Sequence, residues 1–189
     1  MKIHFVTSNR NKFEEAYRVL EKYDIRMEQL PLEKVEIQSD DVQKIAIYAA
    51  KQAYSIVKAP VVVEDTGLFI EALGGFPGPY SEYVYRKIGI RGILKLMDRE
   101  DNRKAYFKSA VAIILPPWEK VFTGRIEGTI AREPRGDKGF GYDPIFIPNG
   151  DSRTFAEMSI EEKNMYSHRA KAFNKLGSWL SRLISKGKA

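Results

Sequence analysis

The 189-residue sequence contains no cysteine and only two histidines, His4 and His168. The absence of cysteine excludes a disulfide scaffold, a thiolate nucleophile and the usual zinc ribbons and fingers. Two histidines are also too few for a histidine-rich metal site. Any metal that this chain binds must therefore be a hard cation held by carboxylates.

Long apolar segments are also missing. The longest apolar run covers residues 110–115, which is the length of a strand and far shorter than a membrane span. Residues 1–6 lack the long apolar segment and the small-residue cleavage site of a secretory signal. We therefore expect a cytoplasmic protein that does not associate with membranes.

Acidic residues are fewer than basic ones. The chain has 25 Asp and Glu against 31 Lys and Arg, which gives a formal net charge of +6 at pH 7. This excess suits an anionic partner, which is either nucleic acid or a phosphorylated small molecule. Charge alone does not distinguish the two.

The hydrophobic pattern of the first third of the chain alternates between strand and helix. Residues 2–7, 25–30 and 61–64 are predicted strands, and residues 35–37 are a short extended piece. Apolar residues three and four positions apart predict two helices between the strands. The first carries Phe13, Ala16, Tyr17 and Leu20, and the second runs from Val42 to Val57 and ends before Pro60.

The rest of the chain has a different pattern. Residues 105–115 and 121–131 are predicted strands of an antiparallel hairpin, followed by a loop over 132–144 and a short strand over 145–147. Ser159 and Glu162 form a capping box that opens a helix continuing nearly to the C-terminus. We predict an α/β fold in one domain over residues 1–189, with a mixed central sheet flanked by helices and two lobes around a substrate cleft.

Residues 61–68 carry two adjacent acids, Glu64 and Asp65. The β-branched residues before them predict a buried strand that ends at the acids, and residues 73–80 continue as a loop rich in glycine and proline. A buried strand that ends in acids is typical of a catalytic or metal-binding site. On these residues alone, an Asp65 that merely caps a turn before Thr66 and Gly67 is an equally good interpretation.

Residues 7–12 follow the first strand and open the first helix. Such a turn presents free backbone N–H groups and the positive end of the helix dipole, here with hydroxyl, amide and ammonium donors added. The turn therefore has the donors of a triphosphate cradle, without the glycines of a P-loop. An ordinary helix N-cap region rich in Ser and Asn is the alternative.

Three further acids and a loop are candidate site residues. Asp65 and Glu36 are candidate Mg²⁺ ligands, with Asp40 and Asp41 as competing ligands, and Asp65 is also a candidate to activate water. Glu36 alone is equally a solvated surface residue. The loop over 139–144 places Phe140 and Tyr142 where exposed aromatics suit stacking on a flat ring.

Donor side chains cluster at the predicted start of the last helix. Lys163 and Ser167 are four residues apart on one helix face, and His168 and Arg169 follow, so their donors are positioned to converge on one ligand. A solvated, charged helix face is the alternative interpretation.

Five of these motifs occur in order along the chain, within residues 7–12, 64–68, 72–81, 139–144 and 167–170. Together they resemble the Ham1-like inosine triphosphate pyrophosphatases, over nearly the whole chain from residue 7 to about residue 176. The resemblance implies a fold of the Maf–Ham1 type. It also implies Mg²⁺-dependent hydrolysis of ITP, dITP and XTP to the nucleoside monophosphate and pyrophosphate, by a homodimer.

The resemblance also implies residue roles. Asp65 is the expected proton acceptor and a metal ligand together with Glu36. The expected substrate-binding residues are Thr7, Ser8, Asn9, Arg10, Asn11, Lys12, Thr66, Phe140, Gly141, Tyr142, Asp143, Lys163, His168 and Arg169. Phe140 is the expected stacking partner of the purine, and Arg169 or a backbone N–H is the expected donor to its 6-oxo group. Such a donor rejects adenine, which presents an amino group there.

Two other functions remain open at the level of sequence. One is a Maf-like pyrophosphatase that acts on dTTP, UTP or modified nucleotides. The other is a basic single-stranded nucleic-acid-binding module, which would use Phe140, Tyr142 and the excess of Lys and Arg. The basic residues are scattered rather than arranged in a stripe, so we expect a small-molecule nucleotide substrate and no stable nucleic-acid partner.

Overall fold

The computed structural model describes residues 2–35 and 37–187, and strands and helices alternate through the first part of the chain as the hydrophobic pattern predicts. The strands are β1 (Lys2–Val6), β2 (Arg26–Leu30), β3 (Val61–Ile70), β4 (Pro77–Gly78), β5 (Lys104–Leu115), β6 (Trp118–Ile130) and β7 (Phe146–Pro148). The helices are α1 (Arg10–Glu21), α2 (Val42–Val57), α3 (Ser81–Leu96), α4 (Ile160–Tyr166) and α5 (His168–Ser185).

The strands of the described residues form one mixed sheet. Its order is β2-β1-β3-β5-β6-β7, and β4 pairs with β3 outside this path. Strand β1 is parallel to both β2 and β3, because α1 and α2 return the chain between them. Strands β4 and β7 are antiparallel to their neighbours β3 and β6. The predicted α/β fold with a mixed central sheet flanked by helices is confirmed.

The chain divides into two compact units, each with its own hydrophobic core. The first unit comprises Met1–Asp65, Ser109–Gly124 and His168–Ala189. Its core packs α1 and α5 on the sheet, and the rings of Phe5 and Phe173 meet edge to face at 5.4 Å. The core side chains are Ile3, Phe5, Ala16, Val19, Leu20, Ile25, Met27, Val62, Val111, Ile113, Ala170, Ala172, Phe173, Leu176 and Leu180.

The second unit comprises Thr66–Lys108 and Arg125–Ser167. Three aromatic rings pack together in its core, with Phe146 lying 4.7 Å from Phe107 and 5.2 Å from Phe155 between ring centroids. The core side chains are Leu68, Ile70, Val84, Ile93, Met97, Ala105, Phe107, Ile126, Ile130, Tyr142, Ile145, Phe146, Phe155 and Met158. The apolar side chains of each unit therefore pack in a core of their own.

Strand β3 is longer than the sequence predicts. The prediction that the strand ends at Glu64 is wrong, because β3 continues to Ile70 and pairs with β4 through Leu68 and Gly78. A Cβ on Gly67 would lie 2.5 Å from the carbonyl oxygen of Gly78. This glycine is therefore a point of close backbone approach within a strand, rather than a loop signal.

The predicted C-terminal helix is two helices. The capping box of Ser159 and Glu162 is confirmed, with the Ser159 side chain accepting from the Glu162 backbone N–H at 3.2 Å. However, Ser167 is extended, with ψ of 150°, and separates α4 from α5. Lys163 and Ser167 therefore do not share a helix face, and Lys163 belongs to the second unit while Arg169 belongs to the first.

None of the helices within residues 2–35 and 37–187 combines the length and the apolar character that crossing a membrane requires.

Candidate active site

The turn after β1 is organised by its own side chains. The Thr7 backbone N–H donates to the Leu30 carbonyl at 3.1 Å, which fixes the end of β1 against β2. The Asn9 backbone N–H donates to Thr7 Oγ1 at 3.1 Å, and Asn9 Oδ1 accepts from the Lys12 backbone N–H at 3.1 Å. Asn9 is thus the N-cap of α1. The alternative interpretation of residues 7–12, an ordinary helix N-cap region, is therefore correct for Asn9.

The remaining residues of the turn differ in exposure. Ser8, Arg10 and Asn11 are exposed, whereas the Lys12 side chain is only 19% exposed. Arg10 Nε lies 2.9 Å from Glu14 Oε1 one turn along the helix. The turn therefore presents hydroxyl and amide groups to solvent while Lys12 points back toward the sheet. A triphosphate-binding role for residues 7–12 stays a prediction.

Glu64 is the centre of a buried charged cluster in the first unit. Its side chain is fully buried, and Oε1 accepts from Ser109 Oγ at 2.7 Å and from Arg169 Nε at 2.9 Å. Its second oxygen, Oε2, lies 3.2 Å from Lys12 Nζ. Asp65, the next residue of β3, is 8% exposed. Glu64 thus lies beside the turn that the sequence predicts to bind phosphate.

Arg169 connects Glu64 to α1. Its Nη1 donates to Glu15 Oε2 at 2.6 Å, and Arg169 is 2% exposed. Burial alone lowers the pKa of the Arg169 guanidinium, but the carboxylates of Glu64 and Glu15 outweigh burial and raise that pKa above its ordinary value. Arg169 is therefore a permanently charged, buried link between β3 and α1. Its predicted role in binding substrate is not tested by these contacts.

His168 begins α5 and is 2% exposed. A Cβ on Gly124 would lie 1.9 Å from the His168 carbonyl oxygen, so only glycine lets the start of α5 approach β6 this closely. His168 and Arg169 are thus placed by direct backbone packing on the sheet of the first unit.

The predicted metal ligands are described only in part. Glu36 lies outside the described residues, and its neighbours Val35 and Ile37 in the predicted extended piece are not part of a strand. Of the competing acids, Asp40 is exposed and Asp41 caps α2, accepting from the Gln43 backbone N–H at 2.9 Å. Within the described part of the chain, no group of three or more His, Cys, Asp or Glu side chains is arranged to hold a metal.

The loop before β7 forms a second cluster, in the second unit. Asp143 Oδ2 accepts from the Phe140 backbone N–H at 2.9 Å and from Lys163 Nζ at 2.6 Å, and Lys163 is 3% exposed. The same ammonium lies 5.0 Å from the centroid of the Phe140 ring. A Cβ on Gly139, where φ is +71°, would lie 2.1 Å from Asp143 Oδ2. The loop is therefore tightly folded around the Asp143 carboxylate.

The two aromatics of this loop have different environments. Phe140 is half-buried, which leaves part of its ring accessible, and Gly141 beside it has a positive φ of 59°. Tyr142 is 4% exposed, so the expectation that both aromatics are exposed is wrong for this residue. Its hydroxyl donates to the Ser81 carbonyl at 3.1 Å, and burial followed by the neighbouring Tyr85 raises the pKa of Tyr142 above its ordinary value.

Two members of the first cluster, Glu15 and Ser109, were not among the residues that the sequence predicts. Both carry a detectable signal. Glu15 is a charged residue four positions before Val19, on the buried face of α1, and Ser109 is a polar residue within the apolar run of β5. A polar side chain at a core position needs a partner, and a search for such positions would have found both residues.

A mixed α/β sheet with a donor-rich strand-to-helix turn beside buried acids is typical of α/β enzymes that act on phosphorylated small molecules. Comparison with known proteins identifies the family within this class of enzymes. The Ham1 family model matches residues 3–179, so the chain belongs to the Ham1 family. The resemblance inferred from the five motifs is confirmed.

Individual relatives are similar to this chain over almost its full length. A dITP/XTP pyrophosphatase of Hyperthermus butylicus is 54% identical over 178 residues, which are 94% of this chain and 94% of that protein. A dITP/XTP pyrophosphatase of Pyrobaculum aerophilum is also 54% identical, over 96% of this chain and 97% of that protein. The structure of a HAM1 protein from Coxiella burnetii has a TM-score of 0.85 at 30% identity, covering 96% of this chain and 99% of that one.

Proposed function

We propose that this chain is a hydrolase that removes non-canonical purine nucleotides from the nucleotide pool. Its proposed substrates are dITP, XTP and ITP, which it hydrolyses at the α–β phosphoanhydride to the nucleoside monophosphate and pyrophosphate. The observation that carries the proposal is the approach of Lys12 Nζ to within 3.2 Å of Glu64 Oε2, which places the donor-rich turn beside the buried acid that precedes Asp65 in β3. Relatives named dITP/XTP pyrophosphatases, 54% identical over nearly the whole chain, support the choice of substrates.

Each unit has its own role in this proposal. In the first unit, Thr7, Asn9 and Lys12 bind the triphosphate, and Asp65 accepts a proton from the attacking water. In the second unit, Phe140 stacks on the purine and the folded loop around Asp143 holds that ring in place. A polyanionic substrate needs charge neutralisation and positioning more than covalent catalysis, and Lys12 provides both. We also propose the cytoplasm as the place of action.

Mg²⁺ is the proposed cofactor. The chain offers hard carboxylate ligands and no thiolate, which matches the preference of Mg²⁺ for oxygen. Asp65 and Glu36 are the proposed ligands, and waters and substrate phosphates complete such a site in most Mg²⁺ enzymes. When bound, the ion offsets negative charge on the triphosphate.

The test is pyrophosphate release from dITP, ITP, XTP and the standard triphosphates ATP, GTP, CTP, UTP and dTTP, each with Mg²⁺ and with EDTA. We expect kcat/KM for ITP to exceed that for ATP at least about 100-fold, because adenine leaves polar groups of the base site unpaired. EDTA is expected to stop turnover and added Mg²⁺ to restore it. Equal turnover of ATP contradicts the specificity, faster turnover of dTTP or UTP favours a Maf-like activity, and turnover in EDTA contradicts the cofactor.

We also propose that the protein is a homodimer that associates through an aromatic face of the second unit. Large apolar side chains close together in sequence around the start of α3 are between 38% and 57% exposed, and an exposed apolar patch is typical of an interaction surface. They are Phe76, Tyr80, Tyr83, Tyr85 and Ile88. A second copy of the chain offers the same face and covers it symmetrically.

Light scattering after size-exclusion chromatography tests the dimer. We expect the wild-type protein to have twice the 21.6 kDa of one chain, and Tyr83→Glu to shift the mass to that of one chain, because it buries a charge in the interface. Tyr17→Glu, at a 38% exposed tyrosine of the first unit, is the matched control and is expected to stay dimeric. A wild-type monomer, or a dimer that Tyr83→Glu leaves intact, contradicts the proposal.

A further inference from the structure

We infer that Glu64 is a positioning residue that holds the Lys12 ammonium in place for the triphosphate. The inference rests on the proposed function, since it assigns to Glu64 a part in the binding of the same substrate. Neither the sequence motifs nor the relatives' names give Glu64 a role. Its neighbour Asp65 is the residue to which the proposed proton transfer is assigned.

The two oxygens of Glu64 make different contacts. Oε1 accepts from Ser109 Oγ at 2.7 Å and from Arg169 Nε at 2.9 Å, which are both buried groups of the first unit. Oε2 lies 3.2 Å from Lys12 Nζ. The first oxygen is therefore held by the fold, through β5 and α5. Because these two contacts fix the carboxylate, Oε2 points toward Lys12 in the first turn of α1.

Exposure distinguishes Lys12 from the rest of the cluster. Glu15, Ser109 and Arg169 are 2% exposed or less and the Glu64 side chain is 0% exposed, whereas the Lys12 side chain is 19% exposed. The contact of Lys12 with Glu64 is an ion pair at 3.2 Å, and a lysine ammonium has three N–H donors with which to bind further anionic groups. Lys12 is thus the member of the cluster that reaches solvent, and it lies in the turn proposed to bind phosphate.

Arg169 connects the Glu64 carboxylate to a second residue of α1. It donates to Glu64 on β3 and to Glu15 on α1, and Glu15 follows Lys12 by three residues on the same helix. Helix α1 is therefore tied to β3 at two points, through Lys12 and through Glu15. The long Lys12 side chain is therefore already ordered in the folded protein, before substrate binds. Because substrate binding does not have to order this side chain, less conformational entropy is lost on binding and the affinity is higher.

The test uses inorganic tripolyphosphate, which probes the phosphate site without a base. We expect Glu64→Gln to weaken tripolyphosphate binding in calorimetry about 10-fold and to raise KM for dITP by a similar factor, because the amide no longer attracts Lys12. In a Lys12→Met background, Glu64→Gln is expected to have no further effect. Glu28→Gln, which removes an exposed partner of Lys2 in the same unit, is the matched control and is expected to bind like wild type.

Three results overturn the inference. The first is that Glu64→Gln weakens tripolyphosphate binding equally in the wild-type and the Lys12→Met backgrounds. The second is that Glu64→Gln binds tripolyphosphate with wild-type affinity. The third is that the wild-type protein does not bind tripolyphosphate. If Glu64→Gln does not fold, tripolyphosphate binding by the Lys12→Arg variant tests the inference instead. This change keeps the charge but alters the contact with Glu64, so we expect weakened binding, and wild-type affinity in Lys12→Arg overturns the inference. Calorimetry needs no turnover, so a failure of the proposed function is seen separately in the substrate panel.

Discussion

Asp65→Asn is expected to lower kcat for dITP about 10²- to 10⁴-fold, which is the usual contribution of a positioned general base. The amide keeps the size of the side chain and one ligand oxygen but does not accept the proton of water. Asp65 is 8% exposed and follows Glu64 in β3, so the substitution changes chemistry at a fixed position rather than on a mobile loop. The measurement is steady-state release of pyrophosphate with Mg²⁺ present.

The control for this prediction is Asp98→Asn, at an exposed carboxyl group of the second unit. We expect its kcat to lie within about twofold of wild type, because surface substitutions away from a site rarely affect function. Thermal unfolding should show that Asp65→Asn is folded. A folded Asp65→Asn protein with wild-type kcat contradicts the assignment of Asp65 as proton acceptor.

Arg169→Met is expected to lower the free energy of unfolding by about 3–5 kcal/mol, the usual cost of removing one partner from a buried ionic cluster. The substitution keeps most of the side-chain volume but leaves the carboxylates of Glu64 and Glu15 in the interior of the first unit without this cation. The measurement is equilibrium unfolding in guanidinium chloride, with the stability of the wild-type protein as reference.

An exposed ion pair of the same unit serves as the control. Lys2→Met removes the partner of Glu28, and both side chains of that pair are more than half exposed. We expect a change of no more than about 1 kcal/mol, because surface ion pairs contribute little to stability. An equally small change in Arg169→Met would show that its buried contacts do not stabilise the first unit.

The fold was largely predictable because its signals are local. Helices α1 and α2 follow from apolar residues at helical spacing, and β1 and β2 follow from short runs between turn signals. The extension of β3 was not predictable in this way. It depends on pairing with Pro77 and Gly78, ten residues further along the chain, and Gly67 reads as a loop residue until that partner is known.

The break between α4 and α5 shows the same limit. Residues 159–185 have a continuous helical pattern, but Ser167 is extended, and α5 begins where Gly124 admits the His168 carbonyl. The contact that Gly124 permits lies more than forty residues away in sequence. Helical spacing therefore placed Lys163 and Arg169 on one element, although they belong to different units.

By itself, the sequence determined the family, the alternation of strands and helices, and Asp65 as the leading candidate for the reaction. These follow from ordered motifs and hydrophobic periods, which are properties of neighbouring residues. The tertiary structure decided what Glu64 contacts, since Lys12, Ser109 and Arg169 come from three separate elements. A buried carboxylate must find its partners wherever the fold brings them, and residue spacing does not contain that information.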